Sequence, residues 1–130
     1  MLKIHNPSTI AAPLAPTYSN GVEVPPNARW LHTAGIVGVD KDGKPVQGLE
    51  RQAEVIWDSL VAILASAGMA VTDIVKMNAF VVHGQDAAAY GAIRKRYLRD
   101  HKPASTMVYV PALVAPDFLL EVEVIAAKAA

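Results

Sequence analysis

The sequence predicts an α+β fold in which a mixed β-sheet carries two helices on one of its faces. Two long segments repeat apolar residues at helical spacing, residues 49–67 and 87–100. The remaining ordered segments are short and rich in β-branched residues, so the elements follow the order β-β-β-α-β-α-β-β. Two helices are too few to cover both faces of such a sheet, and we expect them to share one face.

The first three strands are separated by segments that proline interrupts. We expect these strands at residues 2–5, 18–24 and 29–38. Pro7, Pro13 and Pro16 lie in the loop between the first two strands. Pro25-Pro26-Asn27 ends the second strand, because proline cannot donate to a hydrogen-bonded ladder.

The first helix is the clearest element. One apolar stripe runs along it, formed by Ala53, Ile56, Trp57, Leu60, Ile63, Leu64 and Ala67. Gly68 is a natural stop at the C′ position. A strand over residues 73–83 follows.

The second helix is predicted to begin after Asp86, which can cap its free amide groups. Tyr90, Ile93 and Tyr97 form its inner side, and cations in its C-terminal half suit the helix dipole. Pro103 prevents the helix from continuing. The last two strands are expected at residues 105–112 and 118–127.

The strands are apolar on both faces. In the fourth strand, one face holds Val75, Met77, Ala79 and Val81, and the other holds Ile74, Lys76, Asn78, Phe80 and Val82. In the last strand, Leu120, Val122, Val124 and Ala126 share a face. A second apolar face without a second layer needs a partner surface, which another copy of the chain supplies most simply. We therefore expect a homo-oligomer.

Composition excludes several classes of protein. The chain has 130 residues, 52% hydrophobic and 18% charged, which excludes a disordered tail and predicts a single domain over residues 1–130. Its net charge of zero argues against nucleic acid or membrane as a partner. The absence of cysteine excludes thiol chemistry and disulfides. With no signal peptide or membrane-spanning run, a cytoplasmic location is expected.

Glu121 and Glu123 are candidate functional acids, because residues two apart on a strand point the same way. Glu121 could be a base that activates water. Alternatively, the two carboxylates are solvated on an edge strand, or one belongs to an ion pair.

Other polar residues allow a plainer interpretation beside a functional one. Tyr18 could line a pocket, or pack in the core with its hydroxyl on a backbone group. His32, within an apolar strand, is interpreted as a hydrogen-bonded core or interface histidine. The histidines show no metal-ligand spacing, so no metal site is expected. The basic run "RKRYLRDHK" at 94–102 is interpreted as the solvated side and last turn of the second helix, rather than a nucleic-acid patch.

Stretches along nearly the whole chain resemble the RidA/YjgF/UK114 family, also called endoribonuclease L-PSP-like. They include "APTYSNGVEV", "LHTAGIVGVDKDGKPVQG", "KPASTMVYVPAL" and "LLEVEVIA". The resemblance implies a chorismate-mutase-like fold and a homotrimer built around a central barrel, with small-molecule clefts between subunits. It also implies hydrolysis of reactive enamines and imines to keto acids and ammonia, without a cofactor.

The resemblance also implies a set of site residues. Glu121 matches the acid that holds the attacking water, Tyr18 the cleft tyrosine, and Gly35 the glycine whose backbone faces the ligand. Further ligand-binding positions are Ala34, Ile36, Gly91, Ser105 and Thr106.

Ser105 departs from the family pattern. In deaminating members the strand begins Pro-Ala-Arg, and that arginine binds the substrate carboxylate through two hydrogen bonds. Each such bond contributes roughly 1.5–3 kcal/mol, so serine should weaken carboxylate binding by about 10²-fold or more.

Ala34 and Ile36 replace polar residues, and Gly91 replaces an asparagine. The sequence thus predicts a divergent member, whose ligand is either uncharged or held by a different cation, for which Lys76, Arg29 and Arg94 are candidates. A non-catalytic metabolite-binding or regulatory trimer is the alternative, and an endoribonuclease is the least favoured.

Overall fold

A computed structural model describes all 130 residues and confirms the α+β prediction. The strands are β1 (Lys3–His5), β2 (Gly21–Glu23), β3 (Ala28–His32), β4 (Ile36–Val37), β5 (Ile74–Val82), β6 (Ala104–Val110) and β7 (Leu120–Ala129). The helices are α1 (Leu49–Ser66) and α2 (Ala87–Leu98). No helix combines the length and apolarity that crossing a membrane requires.

The main sheet is mixed and has five strands. Its strand order is β3-β7-β5-β6, and β4 pairs with β7 beyond the end of β3. Only β5 and β6 run parallel to each other. β1 and β2 form a separate two-stranded ladder. Because β7 has neighbours on both sides, the interpretation of Glu121 and Glu123 as residues of an edge strand is wrong.

Both helices pack on the same face of the sheet, as predicted. The fully buried core residues come from α1, β5, β7 and α2, and include Ala53, Ile56, Trp57, Leu60, Leu64, Met77, Ala79, Val81, Tyr90, Leu120, Val122 and Val124. Burying one large aliphatic side chain contributes about 1.5–3 kcal/mol. This side of the sheet, called the covered face below, therefore holds most of the apolar burial.

The predicted stop of α1 at Gly68 and the predicted cap of α2 at Asp86 are confirmed, whereas α2 ends at Leu98 and not at residue 100. After α1, Gly68 has φ +70°, and the amide of Met69 donates to the Leu64 carbonyl at 2.9 Å. This is the left-handed C′ position for which glycine is favoured. Before α2, Asp86 Oδ1 accepts from the amides of Ala88 at 2.9 Å and Ala89 at 3.3 Å.

The predicted strand 29–38 is in fact two strands. His32 pairs with Ile125 and Ile36 pairs with Val122. Ile36 comes four residues after His32, whereas Ile125 comes only three residues after Val122. One residue is therefore extra, as in a β-bulge. Thr33 stays attached, with its amide donating to the Val124 carbonyl at 3.0 Å. The predicted strand 18–24 is also shorter, since only residues 21–23 form a strand.

A second irregularity changes the predicted faces of β5. Ile74 pairs with Ala126 and Lys76 with Ile125, so the register shifts between them. Ile74 therefore lies in the core under the helices, and its predicted place on the face of Lys76 is wrong.

The other side of the sheet carries no helix and is called the bare face below. It includes Trp30, His32, Val37, Lys76, Asn78, Phe80, Thr106, Val108, Glu121 and Glu123. None of these side chains is fully buried, and Val108 is 43% exposed.

Candidate functional site

Glu121 lies on the bare face between Val37 of β4 and Phe80 of β5. Its side chain is half-buried and makes no hydrogen bond or ion pair. A Cβ atom added to Gly35 would lie 2.6 Å from the Glu121 Cδ. The carboxylate thus lies directly against the Gly35 backbone, and only glycine leaves room for it.

Glu123 differs from Glu121 although the two point the same way, as predicted. Its Oε2 accepts a hydrogen bond from Asn78 Nδ2 at 3.3 Å on the neighbouring strand. Glu121 has no such partner, so both of its oxygens can accept from water or a ligand. The ion-pair interpretation is wrong for both acids.

The bulge before β4 places the residues that flank Gly35. Ala34 is exposed, and its carbonyl accepts from the Thr33 hydroxyl at 2.8 Å. Ile36 pairs with Val122 and packs against the core on the covered face. The structure therefore brings Ala34 and Gly35 to Glu121, whereas the Ile36 side chain points to the other face.

A second group of predicted residues gathers where β6 begins. Ser19 attaches the N-terminal loop there, with its amide donating to the Pro103 carbonyl at 3.1 Å and its hydroxyl to the Lys102 carbonyl at 2.5 Å. Tyr18 is therefore held near Ser105. The Tyr18 hydroxyl accepts from the Leu14 amide at 2.8 Å, which is the backbone contact expected of a packed tyrosine.

Ser105 and Thr106 lie on opposite faces of β6. Thr106 Oγ1 accepts from Lys76 Nζ at 2.8 Å on the bare face. Ser105 pairs with Met77, so its half-buried side chain lies on the covered face and makes no side-chain hydrogen bond. The two hydroxyls therefore cannot serve the same cleft within one chain.

Two exposed residues that share a face of β6 with Ser105 were not predicted from the sequence as site residues. Met107 is 43% exposed and Tyr109 is 55% exposed, because the helices do not reach the outer part of β6. The Tyr109 ring lies edge-on to His83, with centroids 6.3 Å apart. Alternation from Ser105 along the strand is the signal that could have identified both.

Gly91 lies on α2 and faces open space. A Cβ atom there would meet nothing within 4 Å. The absence of a side chain at this position leaves room beside the helix.

The two groups are well separated within one chain. Ala104 pairs with Lys76 and Glu121 pairs with Phe80, four residues further along β5, and β6 and β7 flank β5 on opposite sides. Strand geometry places the Cα atoms of Ala104 and Glu121 about 16 Å apart.

The candidate cations occupy three different places. Arg29 Nη1 and Nη2 both donate to the Ala67 carbonyl at 3.2 Å, at the end of α1. Lys76 is bonded to Thr106 on the bare face. Arg94 is half-buried, and its Cζ lies 5.9 Å from the Tyr90 ring centroid.

His32 is not a core residue in the protomer. Its side chain is exposed on the bare face beside Trp30, with ring centroids 6.3 Å apart. It makes no side-chain hydrogen bond, so the interpretation of a hydrogen-bonded core histidine is wrong. An interface position stays a prediction.

The two groups with shifted pKa values, Tyr90 and Tyr97, are residues of α2 and lie away from Glu121. Burial raises the pKa of Tyr90 to about 12, against smaller opposing effects of Arg94 and the Trp57 indole. Burial and the hydrogen bond to Asp58 raise the pKa of Tyr97 to about 12. Both tyrosines therefore stay neutral at physiological pH.

The fold and the glycine–carboxylate contact together define a RidA-like α+β protein. The pattern of the family described as "Endoribonuclease L-PSP" matches residues 9–128, and the chain belongs to this family, as the sequence predicted. The Rid-family protein YyfB from Yersinia pestis has a similar solved structure, with a TM-score of 0.84 and 28% identity over 98% of each chain.

Two relatives show the range of names in the family. The "2-iminobutanoate/2-iminopropanoate deaminase" of Salmonella typhimurium is 32% identical over 128 residues, covering 92% of this chain and 97% of the relative. "Protein MMF1, mitochondrial" of Saccharomyces cerevisiae is 30% identical over 120 residues, covering 92% and 80%. The name of the Salmonella relative supports a deaminase-type function for the family.

Proposed function

We propose that this protein is a homotrimer that hydrolyses an enamine, an imine or a related small metabolite in clefts between its subunits. Glu121 is the base. The observation that carries the proposal is the unpaired, half-buried Glu121 carboxylate held against the Gly35 backbone. The deaminase name of the Salmonella relative supports the reaction type.

The separation of the two residue groups is the reason to infer an assembly. Tyr18 and Ser105 lie where β6 begins, and there the Cα of Ala104 is about 16 Å from that of Glu121 in one chain, across two strand spacings. A neighbouring copy packed on the bare face can bring its own Tyr18 and Ser105 opposite Glu121. The same packing covers the exposed Trp30 and Val108.

Imine hydrolysis needs few groups. Glu121 takes a proton from water while the water oxygen bonds to the imine carbon, and a proton reaches the nitrogen. The carbon–nitrogen bond of this intermediate then breaks. The hydroxyl proton passes to the nitrogen as the carbonyl forms, and ammonia leaves. No cofactor enters this sequence of steps.

Substrate selection is proposed to differ from that of the arginine-bearing members. Ser105 offers one neutral hydroxyl, and Gly91 and Ala34 leave the surroundings small. A free carboxylate should therefore bind weakly. We expect a small-molecule ligand rather than nucleic acid or membrane, and a cytoplasmic location.

The test of the base is Glu121→Gln, which keeps the shape and removes the basic oxygen. Ammonia release from freshly generated 2-iminopropanoate should fall by about 10²–10⁴-fold. Glu123→Gln, two residues away on the same face, should change the rate only a few-fold. Unchanged turnover in Glu121→Gln, with the assembly intact by ultracentrifugation, would contradict the proposal.

The test of specificity is Ser105→Arg. Restoring a bidentate cation should lower the KM for 2-iminopropanoate by about 10²-fold. Ser105→Met, which adds length without charge, should not lower it. A wild-type KM that Ser105→Arg leaves unchanged would show that the missing arginine does not limit carboxylate binding.

The second candidate is a non-catalytic metabolite-binding or regulatory trimer. It is favoured because Ser105 stands where the deaminating members have an arginine. It predicts saturable binding of a small molecule without product. It also predicts that Glu121→Gln leaves this binding unchanged, as native mass spectrometry can measure.

A further inference from the structure

A small cavity lies between the end of α2 and the loop that precedes β2. Its volume is about 180 Å³, below the roughly 300 Å³ at which drug-sized ligands fit but sufficient for a single anionic group. Four cationic side chains line it, those of Arg94, Lys95, Arg99 and Lys102. Thr17, Asp100 and His101 complete its polar wall.

The four cations are not neutralised by the protein. None of their side chains makes a hydrogen bond or an ion pair, and Asp100 is the single acid in the wall. Arg96, on the same helix but outside the cavity, does pair with Glu54 at 3.4 Å. The helix dipole favours cations in the last turn of α2, but it does not account for Lys102, which lies beyond the helix.

The backbone at Arg99 is a second, independent observation. Arg99 has φ +53° and ψ −118°, and the His101 amide donates to the Leu98 carbonyl at 2.9 Å. These values describe the first central residue of a type II′ turn, a position that glycine normally occupies. An arginine here is strained, and the strain is tolerated where the side chain has a use.

We propose that this cavity binds the phosphate group of a small phosphorylated molecule. Arg94, Lys95, Arg99 and Lys102 surround the phosphate oxygens, and the Thr17 hydroxyl donates a further hydrogen bond. Within one chain Glu121 is not among the residues that line this cavity, and the inference does not rest on the proposed reaction.

The net positive charge of the cavity favours a phosphate group over a carboxylate. Four cations against Asp100 leave three positive charges. A phosphate monoester carries about 1.5 to 2 negative charges at neutral pH, more than the single charge of a carboxylate. The planar forks of two arginines also match phosphate oxygens.

The test titrates the intact protein with inorganic phosphate and follows the backbone amides of Thr17 and Arg99 by NMR. We expect saturable shifts with a Kd of about 1 mM. Sodium chloride at matched ionic strength should not reproduce them.

Arg99→Gly removes the cation and also relieves the turn, so the variant should melt at an equal or higher temperature. It should nevertheless bind phosphate about tenfold or more weakly. Arg94→Gln should weaken binding similarly, and Arg96→Gln should not.

Shifts that chloride reproduces, or unchanged phosphate affinity in Arg99→Gly, would overturn the assignment. A single-stranded RNA that binds more tightly than phosphate, and that both cavity variants release, would instead assign the cations to a nucleic-acid backbone. That result would also overturn a small-molecule site.

Discussion

The two faces of the main sheet differ although the same strands build both. On the covered face, Met77, Val122 and Val124 are almost fully buried beneath the helices. On the bare face, Phe80 and Glu121 are half-buried, and Val108 is largely open.

This difference separates stability from function. Apolar burial concentrates on the covered face, where a polar substitution has no water to compensate it. The bare face already accommodates Glu121, Glu123, Lys76 and Asn78 beside apolar residues. The proposed chemistry and the proposed contacts between copies therefore both belong to this face.

The strongest test of this contrast exchanges one valine for aspartate on each face. Val122→Asp places a charge in the core and should lower the free energy of unfolding by more than about 4 kcal/mol, so that no cooperative melt remains. Val108→Asp should keep a cooperative circular-dichroism melt but sediment as a protomer. A folded Val122→Asp, or an assembled Val108→Asp, would remove the distinction between the faces.

Gly35 and Gly38, three residues apart near β4, provide a finer test of the difference between the two faces. A Cβ atom on Gly38 would lie 2.6 Å from the Cα of buried Gln52, which cannot move without α1. Gly38→Ala should therefore destabilise the fold by about 3 kcal/mol.

Gly35→Ala should have a different effect, because its clash involves the end of the flexible Glu121 side chain. We expect a loss of less than about 1 kcal/mol in stability, with ammonia release reduced as strongly as in Glu121→Gln. Chemical denaturation and the ammonia assay measure the two effects. Equal stabilities of the two alanine variants would contradict the assignment of these glycines to fold and function.

At neutral pH the smallest effect concerns a tyrosine on the covered side, and it grows only at alkaline pH. Tyr90 has a pKa of about 12 in the folded protein, above its ordinary value of 10, so the folded state holds this proton more tightly. Its contribution is complete below pH 10 and is lost as the pH rises towards 12, by up to about 3 kcal/mol. Tyr90→Phe should flatten the alkaline fall in stability.

At neutral pH, Tyr90→Phe should change stability by less than about 1 kcal/mol, because the Tyr90 hydroxyl has no hydrogen-bond partner of good geometry. Tyr97→Phe is the matched control. It loses the 2.7 Å bond to Asp58 and should cost about 1 kcal/mol. An unchanged alkaline profile in Tyr90→Phe would contradict the raised pKa.

Local features of the chain were predictable. The apolar stripe of α1, the Asp86 cap and the Gly68 stop depend on residues within one or two turns of each other, and all three are confirmed. The common direction of Glu121 and Glu123 follows from the two-residue period of a strand. The stretches that resemble the RidA/YjgF/UK114 family were also sufficient to predict the family.

The site geometry was not predictable in the same way. The bulge between His32 and Ile36 arises from register with β7, about 90 residues away, and it brings the Gly35 backbone against Glu121. Ser105 and Thr106 point to opposite faces of β6. The sequence could not show which of them is accessible, because this depends on how far the helices cover one face of that strand.

The sequence by itself thus determined the helices, their ends, the apolar character of both sheet faces and the family. The tertiary structure decided the central place of β7, the contact of Glu121 with Gly35 and the II′ turn at Arg99. The physical reason is that helix periodicity and capping depend on side chains close in sequence. Strand order and register depend instead on backbone hydrogen bonds between distant segments, and these bonds are alike for almost every residue type.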